Sequence, residues 1–391
     1  MLVATSWGTF MMSPAGVDQF GRFLGSDWHV FHNALSGPLA VHRFFGNLVF
    51  AGAVIATYAA YRALAAGTHD RRAYYDWMGG MTLVGAIGAF ITIPFGGYWL
   101  SREIYAYRQQ MGITMFGGLI AWLGIVLVIL IGALVIAMTY YLWQRIGAES
   151  GGERFRYQAK YVLMVITVAF LVYITPHTMV MRAAELKAIG GQQHPVIGNF
   201  GVESAKQWAI NMMLAAMIWS LLVWWRSKYA EPRSRLSIVL GALFVVGSAN
   251  LLWISVMGYF IPANIRVGLS VPSALTMLSF LVIGGGITNA LLARSTRLPP
   301  TRWGTLSSRG YWAVLFIGVT VTWIMGLNGY RRSSVRLFWH AMEVVRDYSP
   351  WAFTHAIGFA GNVITFNTLF FWLVLLGLAW LANRSGRPVI P

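Results

Sequence analysis

Nine apolar stretches, each close to the length of a membrane-spanning helix, constrain the fold of this chain more than any other feature. They cover residues 38–61, 77–100, 116–144, 161–181, 206–225, 236–261, 271–293, 311–328 and 358–382. A helix needs about 20 apolar residues to cross the hydrocarbon core of a bilayer, and a chain that is 57% hydrophobic and only 10% charged cannot form a soluble globule. We therefore predict an all-α fold, a polytopic transmembrane bundle of about nine helices.

The composition also limits the chemistry that the chain can host. It contains no cysteine, which excludes disulfides, iron–sulfur clusters and covalent heme attachment within this chain. The net charge of +17 would suit a nucleic-acid-binding protein, but the Lys and Arg residues lie mostly in short loops between apolar stretches. This distribution is typical of membrane orientation and of contact with lipid headgroups. We therefore expect lipids as partners and no nucleic acid.

The basic loops predict the orientation of the bundle. If the connections alternate between two sides, 17 of the 29 Lys and Arg residues fall on one side, in compact loops and the C-terminal tail. The positive-inside rule places that side in the cytoplasm, so the N-terminus lies outside and the C-terminus inside, as nine spans require. In the outer connection 328–357, apolar residues at helical spacing from Leu337 to Tyr348 predict a helix on the membrane surface.

Seven of the eight histidines fall at or beyond the outer face in this orientation, and only His69 does not. Histidine is costly in hydrocarbon and is a common axial ligand of heme iron. His42, His177 and Met277 lie at similar depths and are candidate metal ligands. A histidine near a helix end is more often an interfacial residue, but aromatic and small neighbours favour the ligand interpretation for His42. Met277 taken alone fits core packing better, and His177, which follows Pro176, is equally well explained by a kink.

Further candidates for cofactor binding lie near the same face. The guanidinium groups of Arg43, Arg331 and Arg336 would suit heme propionates, and lipid phosphate is the alternative partner. His340 and His355 belong to the outer connection and complete the candidate set. Because Arg336, Glu343 and Arg346 are close to His340 in sequence, a surface ion network competes with a cofactor role there.

Two stretches near the N-terminus resemble cytochrome bd oxidase subunit I. Ser6-Trp7 and the following Phe10-Met11-Met12-Ser13-Pro14-Ala15-Gly16 resemble that family's Ser-Trp-Met-x-Asn-Pro-x-Gly segment, and Asn33-Ala34-Leu35 to Val41-His42-Arg43 resembles its Asn-Pro-x-Ala to Val-His helix. Ser273-Ala274-Leu275-Thr276-Met277 is similar to its Ser-Phe-Arg-x-Met, with leucine in place of the arginine. In that family the histidine and the methionine ligate a low-spin b heme. The resemblance therefore implies these roles for His42 and Met277, with His177 as a replacement partner or the ligand of another heme.

The resemblance covers roughly the first 110 residues, and the departures from it are informative. The family's first helices and its long quinol loop have no counterpart, and its Glu-x-Gly-Arg-Gln-Pro-Trp motif is replaced by Gly329-Tyr330-Arg331-Arg332-Ser333. We therefore expect a partner subunit that supplies the missing helices. The outer segment from Arg336 to Pro350 resembles bd-like relatives that partner with c-type cytochromes, which implies a c-type cytochrome on the outer face. The expected organisation is a single membrane domain over 1–391, made of an outer segment 1–37, heme-binding helices 38–110, further helices 111–327, the outer connection 328–357 and a last helix with tail 358–391.

Together these expectations predict a heme b-binding subunit of a quinol-oxidising, bd-like respiratory complex in a bacterial cytoplasmic membrane. It would hold heme b non-covalently, with quinone as a further ligand, and pass electrons from quinol towards a second heme, a c-type cytochrome or oxygen. The alternative is a heme-free secondary transporter or channel, or a structural anchor subunit. The scarcity of charged residues at mid-span disfavours proton-coupled transport.

Overall fold

Long helices dominate the computed structural model, which describes residues 2–18, 20, 22–108, 111, 121–174, 202–230, 234–260, 267–336, 338–352 and isolated positions between 362 and 380. Within these residues, eight helices are long and apolar enough to cross a membrane: Ser36–Leu64, His69–Ile104, Leu123–Ala148, Glu153–Ile174, Lys206–Arg226, Arg235–Gly258, Val271–Leu292 and Ser308–Tyr330. They match the first eight predicted stretches, so the all-α, multi-pass prediction is confirmed. The ninth predicted stretch, 358–382, lies mostly outside the described residues.

The complete α-helices, in chain order, are α1 (Leu2–Phe10), α2 (Asp27–Phe31), α3 (Ser36–Leu64), α4 (His69–Tyr107), α5 (Ala121–Ala148), α6 (Ala159–Ile174), α7 (Val202–Arg226), α8 (Arg235–Phe260), α9 (Ser270–Leu292) and α10 (Ser308–Val335). Short 3-10 turns cover Glu153–Gln158, Val267–Leu269 and Pro350–Ala352. Strand β1 (Tyr229–Ala230) pairs with β2 (Thr296–Arg297), and β3 (Trp339–Ala341) pairs with β4 (Val345–Arg346), both antiparallel.

The chain divides into two compact units. The first comprises Met1–Phe44, Gly96–Met111 and Arg332–Pro391, and the second comprises Phe45–Phe95 and Gly112–Arg331. One hydrophobic core fills the second unit and takes buried side chains from all eight long helices. Many apolar side chains outside this core remain exposed, such as Ile238 at 73% and Val245 at 70%, as expected for helices that face lipid.

Small residues allow α3 and α4 to pack closely in the second unit. A Cβ atom on Gly52 would lie 2.8 Å from both Ala86 Cβ and Thr82 O, and one on Gly79 would lie 3.0 Å from Ala59 Cβ. Contacts of this kind let helix backbones approach in a membrane, where dispersion packing replaces the hydrophobic effect as the main attraction between helices.

The first predicted basic loop, 62–76, is much shorter in the structure. Helix α3 continues to Leu64 and α4 begins at His69, so Arg71 and Arg72 are helical. The Thr68 hydroxyl accepts a hydrogen bond from the Arg71 N–H at 3.4 Å, as an N-cap residue does. Hydropathy places the boundary too late because the first turns of α4 are polar.

The predicted surface helix within 328–357 is wrong. Helix α10 continues to Val335, and the β3–β4 hairpin follows. Glu343 lies in the turn with a φ of 59°, a left-handed conformation that interrupts a right-handed helix. Arg346 is the cross-strand partner of Trp339 and its guanidinium lies 5.1 Å from the indole. Cross-strand pairing therefore outweighs the helical spacing of the apolar residues.

Candidate functional site

The buried side chain of Asn33 connects the two N-terminal stretches that resemble the bd oxidase family. Its amide nitrogen donates to Thr9 Oγ1 at 3.0 Å and to Val30 O at 2.9 Å. Its carbonyl oxygen accepts from Ser13 Oγ at 3.0 Å and from Leu35 N at 3.2 Å. The opening stretch and the segment leading to His42 thus form one hydrogen-bonded cluster in the first unit.

Helix α1 is also bonded to the start of α3. The hydroxyls of Ser6 and Ser36 lie 3.2 Å apart, and Arg43 Nη1 donates to Thr5 Oγ1 at 3.2 Å. Arg43 therefore contacts a neutral, fully buried hydroxyl of α1. The guanidinium that was expected to pair with a propionate takes part in packing the N-terminal helix, and its cofactor role stays a prediction.

His42 lies half-buried on α3 against the backbone of α4. A Cβ atom on Gly96 would lie 3.1 Å from His42 Cα, and one on Gly97 would lie 3.6 Å from His42 Nδ1. Neither position carries a side chain, so the Nδ1 edge of the imidazole faces a glycine surface. A Cβ atom at position 96 would crowd the backbone of His42, whereas one at position 97 would make ordinary van der Waals contact with the ring.

Met277 lies in a different setting. It belongs to α9, is 3% exposed and is part of the hydrophobic core of the second unit, together with Leu240 and Phe280. Beside it, Thr276 Oγ1 accepts a hydrogen bond from Asn250 Nδ2 at 2.8 Å. This position agrees with the core-packing interpretation of Met277, and the pairing of Met277 with His42 on one heme stays a prediction.

Arg336 and His340 interact within the segment that follows α10. Arg336 Nη1 donates to His340 O at 2.5 Å, and His340 Nδ1 lies 3.7 Å from Asp347 Oδ1. Burial and the charge of Arg336 lower the pKa of His340 from its ordinary value, and Asp347 partly opposes them. A local ion network surrounds this histidine, as the alternative interpretation held, but Asp347 is its acidic member. Glu343 instead pairs with Arg108 at the end of α4.

The remaining predicted site residues are not placed in detail. Arg331 lies in the last turns of α10, and its side chain is outside the described part. His177 and His355 fall outside the described residues altogether. Among the residues that the structure does describe, no group of three or more His, Cys, Asp and Glu side chains is arranged to hold a metal ion.

A buried ion pair in the second unit was missed at the sequence level. Arg145 is 2% exposed and Asp76 is fully buried, and the carboxylate accepts from Arg145 Nη1 at 3.0 Å and from Gly304 N at 2.8 Å. Arg145 Nε donates to the Tyr141 hydroxyl at 2.8 Å. Loop counting treated Arg145 as a loop residue, whereas it lies in the last turn of α5 and its side chain is buried. An acidic residue next to a predicted span, Asp76, was the sequence feature that could have indicated a buried partner for Arg145.

A second buried acid lies close in sequence to this pair. The carboxylate of Glu149 accepts from Thr301 Oγ1 at 2.9 and 3.0 Å and is 5% exposed. Burial raises the pKa of Glu149, while the Thr301 hydrogen bond and the charge of Lys228 act in the opposite direction. Burial in turn lowers the pKa of Lys228. The connections around 149 and 301 are thus held by partly desolvated polar groups.

The helices and their apolar surfaces define an all-α, multi-pass membrane protein. Comparisons of the chain with protein-family models, with curated proteins and with solved structures gave no match.

Proposed function

We propose that this chain is a heme b-binding membrane subunit of a cytochrome bd-like respiratory complex in a bacterial cytoplasmic membrane. It would take part in moving electrons from quinol towards a second heme, a c-type cytochrome or oxygen near the outer face. The observation that carries the proposal is the position of the His42 imidazole against the glycine pair Gly96 and Gly97. The Asn33 cluster supports it, since it unites the stretches on which the family resemblance depends.

The donor chemistry of the chain fits a heme. Imidazole and thioether are both known axial ligands of heme iron, and His42 and Met277 would supply them, with His177 as the alternative partner. A His/Met pair raises the reduction potential relative to a His/His pair. A bound heme b would supply one-electron transfer. Arg43, Arg331 and Arg336 are the cationic residues that we propose as partners of its propionates.

In the proposed orientation the N-terminus lies outside and the C-terminus inside. His340 and His355 would then face the same side as His42, where a c-type cytochrome would dock. A neighbouring membrane subunit would complete the complex, and quinone would be a further ligand of that assembly.

The buried pair of Asp76 and Arg145 is the observation that most favours the alternative, a transporter. Ionisable residues inside spans often line a transport path. Here, however, the Arg145 side chain donates hydrogen bonds to the Asp76 carboxylate, to the Asp76 backbone carbonyl and to the Tyr141 hydroxyl. Both charged groups are buried away from solvent. This arrangement favours a structural role.

The purified complex provides the test. A reduced-minus-oxidised difference spectrum and a pyridine hemochrome assay should show heme b in stoichiometric amount. His42→Ala should remove the associated absorption, and Met277→Leu, which conserves volume, should convert a low-spin spectrum to a high-spin one. His69→Ala is the matched control because its side chain is 70% exposed, and it should leave the spectrum unchanged.

Two results would overturn the proposal. The first is a folded wild-type complex without heme, and the second is a heme spectrum that His42→Ala leaves intact. In the first case, ligand-dependent flux through liposomes that contain the protein would establish the transporter instead.

A further inference from the structure

A long groove opens on the second unit between α5, α6 and α10. Its volume is about 1250 Å³. One stripe of α5, including Ala133 and Trp143, lines it together with a stripe of α6 from Ala159 to Phe170 and with Phe316 of α10. All three helices are apolar and long enough to cross a membrane. The lining side chains of Leu163, Trp312 and Phe316 are exposed, so the open side of the groove would face the bilayer.

The length of the groove matches one leaflet. From Ala159 to Phe170 the α6 stripe rises about 16 Å at 1.5 Å per residue. Half of a hydrocarbon core of about 30 Å is about 15 Å. The deep end is apolar, with side chains such as Ile166 and Phe170. A single hydrocarbon chain lying along the stripe would therefore reach from the headgroup region to about mid-bilayer.

The other end of the groove is polar and carries a net positive charge. Gln144, Ser307, Arg156, Arg302 and Glu153 line it. Arg156 lies 3.6 Å from Glu153, and both of these side chains are about four-fifths exposed. In the part of the chain that the structure covers, no acidic side chain pairs with Arg302. Two guanidinium groups against one carboxylate favour an anionic headgroup.

The hydroxyl of Thr139 lies beneath the surface of the groove. Thr139 lines the groove and is 3% exposed, and within the described residues its Oγ1 makes no hydrogen bond. This oxygen has almost no accessible surface, so a ligand in the groove would not reach it. The charged end and the apolar stripe are therefore the features that select an occupant.

We propose that this groove is a binding site for a phospholipid with an anionic headgroup. The headgroup lies between Arg156 and Arg302, and one acyl chain follows the α6 stripe towards Phe170. The site lies wholly within the second unit and is independent of any heme bound by His42.

Native mass spectrometry of the delipidated, intact protein tests the site by titration. The probes are phosphatidylglycerol, phosphatidylcholine with the same acyl chains, and a long-chain quinone. Arg302→Gln removes a charge without breaking an ion pair and should weaken phosphatidylglycerol binding about fivefold, because each basic side chain near an anionic lipid contributes about that factor. Arg156→Gln combined with Arg302→Gln should weaken it about 30-fold.

Two further variants separate charge from shape. Ala313→Trp fills the groove, which Ala313 lines, and should reduce binding of both phospholipids. Arg294→Gln is the matched control, since Arg294 is an exposed residue of the same connection that does not line the groove, and should bind as wild type does. Equal affinity for the two phospholipids, unchanged binding in Arg302→Gln, or binding of the quinone alone would overturn the proposal.

Discussion

Replacing Asp76 by asparagine should strongly destabilise the second unit. The carboxylate is fully buried and compensates Arg145, which is itself 2% exposed. Removing one partner of a buried ion pair costs about 3–5 kcal/mol, because the remaining charge is left without compensation in a medium of low dielectric constant. Membrane and soluble domains alike are only marginally stable, often by about 5–15 kcal/mol, so this single change would remove a large share of the free energy of unfolding.

Reversible unfolding of the purified protein in mixed micelles would measure this effect. Asp76→Asn should lower the free energy of unfolding by about 3–5 kcal/mol. Asp76→Leu combined with Arg145→Met should recover most of that loss, since it removes both charges together. Asp70→Asn is the control six residues earlier on α4, where the carboxylate is 84% exposed, and should change stability by less than about 0.5 kcal/mol.

The reasoning would be refuted by an Asp76→Asn variant within about 1 kcal/mol of wild type. It would also be refuted if the double variant were as unstable as the single one. In either case the pair would not be the electrostatic unit that its geometry indicates.

Three further changes test other contacts. Gly318→Ala should lose about 1–3 kcal/mol through overpacking, because its Cβ would lie 1.9 Å from Thr57 Oγ1; thermal unfolding would measure this. Asn33→Ala should cost about 1–3 kcal/mol by removing the acceptor of the buried Leu35 N–H and the bonds to Thr9 and Ser13, with limited proteolysis of the first unit as the assay. Arg108 holds the pKa of Glu343 below its ordinary 4.5, so the stability from this pair is present above that pH and is lost as the pH falls through the lowered value. When the stability of Glu343→Gln is followed as the pH is lowered, the loss that the wild type shows on protonation of Glu343 should be absent.

Matched controls make these three outcomes decisive. Gly241→Ala meets no atom within 4 Å and should be neutral or stabilising, since alanine favours a helix. Asn289→Ala changes an exposed amide and should leave the protease pattern unchanged. If either control lost as much stability as its test variant, or if Glu343→Gln kept the wild-type acid profile, the corresponding contact would not have the role assigned to it.

Hydropathy predicted eight of the long helices within a few residues at most ends. The predicted 206–225 and 271–293 correspond to Lys206–Arg226 and Val271–Leu292. The signal is strong because a chain in lipid must satisfy its backbone hydrogen bonds within each segment. It fails at polar helix ends, as at His69, where a capping threonine extends α4 into a stretch that hydropathy treats as a loop.

Contacts between distant residues were not predictable in the same way. Asp76 and Arg145 are separated by 69 residues, and charge counting cannot distinguish a loop arginine from a buried one. The β3–β4 hairpin escaped notice for a related reason, because Glu343 adopts a positive φ that its residue type does not require. The predicted spans put His42 and Met277 at similar expected depths. The glycines beside His42 and the core side chains around Met277 belong to other helices, so the sequence near each residue does not reveal them.

The connection between α9 and α10 has a consequence for how the protein assembles. Gly304 N–H donates to Asp76 of α4 at 2.8 Å, and Thr301 donates to Glu149, just after α5, at 2.9 Å. A chain emerges from the ribosome starting at its N-terminus, so both acceptors are in place long before this connection is synthesised. The polar contacts of these two acids are therefore completed only at a late stage of synthesis, when the residues that precede α10 have emerged.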